Sequence, residues 1–228
     1  MKYFTKRFRL YTAALMAASL SLAAAIYAGP PLICHAIQIG NAKSLPWVSE
    51  AWNLSGGETY NLTDLVPDTL GILNPNTPVL VRMETLRRAT LYAKKDPMVA
   101  KELLVKLHAR ATDAESASHP DALAWFDAGY LVETYKQWMD KAANPAAGIN
   151  GYAWVKKALA LRGNDSQMEF AAALITFAGP QDEHRQHVER ATAGAKNDAL
   201  LAENLASRFM GPQSQTIAEM FANTGKDN

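Results

Sequence analysis

Asn164-Asp165-Ser166-Gln167-Met168-Glu169-Phe170-Ala171-Ala172-Ala173-Leu174-Ile175-Thr176-Phe177-Ala178-Gly179-Pro180-Gln181 decides the fold. The Asn-Asp start supplies side-chain oxygens for the free amides of a first helical turn. The middle is alanine-rich with Phe177 near its end, and Gly179-Pro180 cannot continue a helix. The same punctuation returns further along. Asn197-Asp198 lies 33 residues after Asn164-Asp165, and Gly211-Pro212-Gln213 lies 32 residues after Gly179-Pro180-Gln181, with Phe209 in the place of Phe177. A period in the low thirties accommodates two helices and a turn, and units of that kind bury their apolar faces by stacking on one another.

Outward from this stretch the same signals recur. Asp64 to Leu73 reads as a short helix, and Asn74-Pro75-Asn76 as a turn. Thr77-Pro78 reads as a cap followed by proline in the first turn, after which Val79, Met83, Leu86, Thr90 and Leu91 recur at helical spacing up to Lys94-Lys95. Asp96-Pro97 starts a further helix with the stripe Val99, Leu103, Leu104 and Leu107. Asp121 opens another that runs to Tyr135, Asn144-Pro145 breaks the chain, and Tyr152 to Leu161 is stopped by Gly163. Gln181 to Ala195 and a last helix to about Asn223 complete the set. No strand-rich stretch interrupts residues 64–223. The expected fold is all-α, a short α-solenoid of antiparallel helix pairs over residues 62–228.

Trp125-Phe126-Asp127-Ala128-Gly129-Tyr130-Leu131-Val132 resembles the first helix of a tetratricopeptide repeat, with Trp125 and Gly129 in register and Ala128 and Val132 in place of Leu and Tyr. The resemblance covers one helix and makes the body tetratricopeptide-like. It implies protein–protein binding through a concave face, without catalysis. The arm at residues 29–61, together with Thr77 to Ala89, also resembles an uncharacterised family of exported bacterial proteins. That resemblance implies a location in the bacterial envelope.

Residues 1–28 read as a secretory signal peptide. Lys2, Lys6, Arg7 and Arg9 precede an apolar run from Thr12 to Ala25, and Ile26-Tyr27-Ala28 offers a small residue at the cut before Gly29. Ala23-Ala24-Ala25 is a second candidate cut, and an uncleaved anchor is the alternative. The run is short and alanine-rich for a span of roughly 20 strongly apolar residues, and no later run is long enough, so no stable membrane span is expected after cleavage. Without its four cations the chain carries 19 basic against 22 acidic residues, a net charge of −3. A mildly acidic chain without a basic block argues against nucleic-acid binding.

Residues 29–61 form an arm. Pro30, Pro31 and Pro46 remove backbone donors, while Leu32, Ile33, Ile37, Ile39, Leu45 and Trp47 are too apolar for a solvated linker. The arm is expected to be extended and packed on the helices, with a short strand-like piece at Ile37-Gln38-Ile39. It carries Cys34, the single cysteine, beside His35. One cysteine makes no internal disulfide. Pro31 stands where a c-type haem motif needs its first cysteine, and Ile33 and Pro31 do not fit a lipid-attachment signal. Neighbouring side chains of an extended segment point opposite ways, so Cys34 and His35 make a poor dyad. What is left is a thiol packed in the arm, or a thiol site completed by a group from the helical body.

Three other constellations stand out. Arg82, Glu84, Arg87 and Arg88 cluster early in one helix. They are either a solvated face or the groups that hold the arm by its carbonyls or pair with a buried acid. Trp125, Tyr130 and Trp154 are candidates for an aromatic binding surface, with core packing as the alternative. His184 and His187 lie three apart beside Glu183, but two histidines make no metal site and the sequence nominates no third ligand. No cofactor motif and no phosphate loop or nucleophile elbow occurs. The expected function is an exported helical-repeat protein that binds another envelope protein, with small-molecule or metal binding, or thiol chemistry, at Cys34 and His35 as the alternative.

Overall fold

The computed structural model describes residues 31–47, 59–163 and 165–209. The expected signal peptide, residues 48–58 of the arm and the last expected helix lie outside the described residues. The chain divides between Pro30 and Pro31, and all described residues belong to the unit that begins at Pro31.

The described part is all-helical. A 3-10 turn, Leu62–Asp64, leads into α1 (Leu65–Ile72), followed by α2 (Val79–Ala93), α3 (Pro97–Ser116) and α4 (Ala122–Trp138). Then come α5 (Gly151–Arg162), α6 (Ser166–Ile175), α7 (Gln181–Ala195) and α8 (Ala199–Phe209). Most boundaries are set locally by caps. The carboxylate of Asp96 accepts the amides of Met98 and Val99, that of Asp121 those of Leu123 and Ala124, and that of Asp165 those of Gln167 and Met168. Asp198 accepts the amide of Leu201, so the two Asn-Asp markers both precede helix starts. Each such cap contributes about 1 kcal/mol. Gly163, at φ 76°, ends α5 in the left-handed region that a glycine enters without steric strain.

One expected cap is absent. The Thr77 hydroxyl donates 2.5 Å to the Ile72 carbonyl at the open end of α1, so it is not available to α2. The first turn of α2 is served from elsewhere: the Leu80 amide donates 3.1 Å to Gln167 Oε1 of α6.

Every residue of α2 except Arg88 is buried, which is the organising fact of the fold. α1, α3, α4 and α6 all pack on it, and Leu32, Ile33, Ile37 and Leu45 of the arm join its core. α4 is the second central helix, buried without a break from Leu123 to Val132. It packs most extensively on α5, as α6 does on α7. The α4–α5 crossing depends on two glycines. A Cβ on Gly129 would stand 2.6 Å from the Gly151 carbonyl oxygen, and one on Gly151 would stand 2.5 Å from that of Gly129. Only hydrogen at both positions lets the two backbones approach this closely.

The strand-like piece is not a strand; the described residues contain helices, turns and irregular segments only. The Gln38 amide donates 2.9 Å to Asn204 Oδ1, and Asn204 Nδ2 donates 2.9 Å back to the Gln38 carbonyl. A carboxamide carries one acceptor and a donor group side by side, so the Asn204 side chain reproduces one rung of a ladder without a second strand.

Candidate functional site

The site is built where the arm meets α2 and α8. Glu84 is fully buried, and its carboxylate accepts four hydrogen bonds. Arg87 donates from Nε to Oε2 at 2.7 Å and from Nη2 to Oε1 at 2.8 Å. Arg88 Nε donates to Oε1 at 2.7 Å, and the Ile37 amide donates to Oε2 at 2.8 Å. Proline-rich irregular chain has few backbone partners of its own, and buried backbone groups need them. The helices supply them as side chains. Arg87 Nη1 reaches the Ile33 carbonyl at 3.1 Å, Arg88 Nη1 the Leu45 carbonyl at 2.6 Å, and the Tyr92 hydroxyl the Pro46 carbonyl at 2.6 Å. From α8, Arg208 Nη2 donates to the carbonyls of His35 and Ala36 at 2.6 and 3.2 Å.

Arg82 belongs to the same helix but not to the same cluster. Its Nη1 lies 2.5 Å from Asp127 Oδ2 of α4, and both side chains are buried. Its other nitrogens donate to the carbonyls of Thr77 and Asn74. Burial pushes the Asp127 carboxyl up to about 6 even though Arg82 pulls it down, and its Oδ1 has no hydrogen-bond partner. Of the four charged residues expected to act together, three hold the arm and Arg82 pins α2 to α4.

The docked arm leaves a groove of about 580 Å³, lined by the arm from Cys34 to Gly40, by Trp47, and by Arg88, Ser207 and Arg208. Cys34 and His35 lie here. Residues 31–35 turn rather than extend, so the alternation expected of a strand does not govern them. Leu32 and Ile33 take the buried side, Cys34 is half-buried and His35 exposed. No hydrogen bond joins the two among the described residues. Burial pushes the Cys34 thiol up, with Arg208 and Arg87 pulling it partly back. Burial, then the same two arginines, pushes His35 down. A thiol held protonated is a poor nucleophile.

The aromatic candidates do not share an exposed face. Tyr130 is wholly buried, stacked on Phe126 with ring centroids 5.6 Å apart, and Trp125 is nearly so. Trp154 is half-buried and stacks on His108 at 4.5 Å, completing a cluster with Trp125. The rings of Trp125 and Tyr130 are used between helices, which leaves Trp154 as the one of the three that is partly exposed.

The histidine pair diverges. His184 Nδ1 lies 3.0 Å from the Ala173 carbonyl, whereas His187 Nδ1 lies 2.5 Å from Glu169 Oε2 and its Nε2 lies 2.6 Å from the Tyr152 hydroxyl. Tyr152 also donates 2.8 Å to Glu183. This chain ties α5 to α6 and α7. Burial, then hydrogen bonding to Glu183, raises the Tyr152 phenol, so it is no candidate nucleophile. Among the described residues no group of three or more His, Cys, Asp or Glu could hold a metal ion, and no helix is long and apolar enough to cross a membrane.

The sequence reading does not single out Asn204, Arg208 or Asp127, yet two of them carry a signal. Asn204 is polar between Leu200, Leu201 and Leu205, and Asp127 is the one charge between Asp121 and Glu133. Arg208 sits in the last turn of α8, where a cation is unremarkable. Neither a family model, a curated protein nor a solved structure matches this chain.

Proposed function

We propose that this is an exported helical-repeat protein of the bacterial envelope that binds another envelope protein and performs no catalysis of its own. The observation that carries the reading is the groove beside the docked arm. Its walls are pre-set by hydrogen bonds that Arg87, Arg88 and Arg208 donate to the arm and that Glu84 and Asn204 accept from it, so a partner segment meets a surface that needs no further ordering. The pairs α4–α5 and α6–α7 support a tetratricopeptide-like arrangement, as does Gly129, whose lack of a side chain permits the close α4–α5 crossing. The basic start and apolar run of residues 1–28 support export.

Cys34, the single cysteine, lines the groove and allows a direct test. A thiol-directed photo-cross-linker on Cys34 should capture a defined envelope protein. The same reagent on a Cys34→Ser, Met98→Cys chain, which places it on the exposed outer face of α3, should not. Equal capture from both positions, or none from Cys34, would refute the reading.

The second reading, small-molecule or metal binding or thiol chemistry at Cys34 and His35, is favoured by the presence of both residues in the groove. It predicts a Cys34 that alkylates in the folded chain as fast as in denaturant.

A further inference from the structure

The groove has an unbalanced charge. Among the described residues no Asp or Glu lines it, while Arg88 and Arg208 enter it from two different helices. Beneath it, Glu84 is shared between Arg87 and Arg88. Among the described residues, three guanidinium groups therefore face one carboxylate around the groove, a surplus of two positive charges.

The surplus falls on two particular groups. Arg208 donates to the carbonyls of Pro31, His35 and Ala36 and to no carboxylate among the described residues. Carbonyl dipoles satisfy its hydrogen bonds without neutralising its charge, and burial pulls its pKa down to about 10. Arg88 commits Nε to Glu84 and Nη1 to Leu45, which leaves its Nη2 without an acceptor among the described residues, on a side chain that keeps 16% of its surface exposed. Cys34 and His35 register the same field, since Arg208 and Arg87 act on both.

We infer that the groove between the arm, Arg88 and Arg208 is a carboxylate-binding site. A cavity of about 580 Å³ falls within the range of about 300–1,000 Å³ usual for ligand sites. Guanidinium groups donate to carboxylate oxygens in charge-assisted bonds roughly twice as strong as neutral ones. A carboxylate, with a single charge per group, suits the site better than a phosphate dianion. Ser207 and Arg208 stand in the last turn of α8, whose carbonyl end carries partial negative charge, and among the described residues no helix N-terminus opens on the groove.

The source of the carboxylate rests on the partner reading above: an acidic side chain or free C-terminus of the bound segment. The alternative source is a small acid. The test follows the His35 ring by NMR in the full-length chain, at constant ionic strength. Titrants are sodium succinate, inorganic phosphate, and a short acidic peptide with a free or an amidated C-terminus. A bound carboxylate stabilises the imidazolium, so the His35 pKa should rise and saturate with succinate or peptide, more than with phosphate. Arg208→Gln should weaken the effect about tenfold or more. Because Arg208 also holds the arm, Ser207→Asp serves as the second variant. It adds a negative charge at an exposed groove residue without removing an arginine, and should weaken binding comparably.

No saturable response, tighter binding of phosphate, or a response unchanged in both variants would overturn the inference. Succinate binding without any protein captured at Cys34 would leave the carboxylate site standing and sink the partner reading. Capture at Cys34 with no carboxylate response would do the reverse.

Discussion

Replacing Glu84 by Gln removes one negative charge and alters little else in shape. In the folded chain that carboxylate accepts from Arg87 twice, from Arg88 once and from the Ile37 amide once. The substitution leaves the Arg87 charge buried without its counter-ion, and turns one oxygen acceptor into an NH₂ group facing N–H donors. Removing one partner of a buried ion pair costs about 3–5 kcal/mol. Total stabilities are about 5–15 kcal/mol, so Glu84→Gln should consume a large share of what holds this protein folded. At about 2–4 °C per kcal/mol for a chain of this length, the midpoint of thermal unfolding should fall by roughly 6–20 °C. Urea denaturation of both proteins, followed by circular dichroism, gives the difference directly. Hydrogen exchange at the Ile37 amide gives the local effect, and its protection should drop by more than the global loss explains. A stability loss below about 1 kcal/mol, with Ile37 as protected as before, would show that Glu84 is not the group on which the arm depends.

Three further outcomes are expected. Gly129→Ala and Gly151→Ala should each destabilise by about 1–3 kcal/mol, because the new Cβ would meet backbone oxygen at 2.6 and 2.5 Å. Gly71→Ala, with nothing within 4 Å in α1, should stabilise by about 0.4–1 kcal/mol. Urea unfolding separates the signs. Burial pushes the Asp127 carboxyl up to about 6, above its ordinary 3.8. The folded state therefore holds the proton more tightly than the unfolded state, and this group's contribution is fully present below the lower value and lost as pH rises to the higher one. Between pH 4 and 6 the stability of the parent should fall relative to that of Asp127→Asn; parallel curves would refute the assignment. Cys34, with its thiol pushed up by burial, should alkylate more slowly at neutral pH in the folded chain than in denaturant, as measured by mass spectrometry.

Much of the helical body was legible in the sequence, because the signals are local. Asp96, Asp121 and Asp165 each satisfy amides two and three residues ahead, and Gly163 ends α5 by its own backbone freedom. Interactions of that range are written in neighbouring letters. Thr77 shows the limit. Its spacing is that of a cap, but a carbonyl at the end of the preceding helix takes its hydroxyl.

What only the tertiary structure decided is which polar residues face inward. Residues 79–93 contain Arg82, Glu84, Arg87 and Arg88, a composition that suits a helix with one solvated face, yet α2 is buried on every side but that of Arg88. Burying a charge requires a partner, and the partners come from afar. Asp127 is 45 residues from Arg82, and the Ile33 carbonyl 54 from Arg87. Asn204 completes the pairing of Gln38 across 166 residues. The groove exists only because those contacts bring the arm against α2 and α8. The aspartate-capped helix starts follow from the chain's own neighbours and are determined by sequence alone; the start of α2, the buried charge and the groove follow from neighbours in space, which spacing along the chain does not encode.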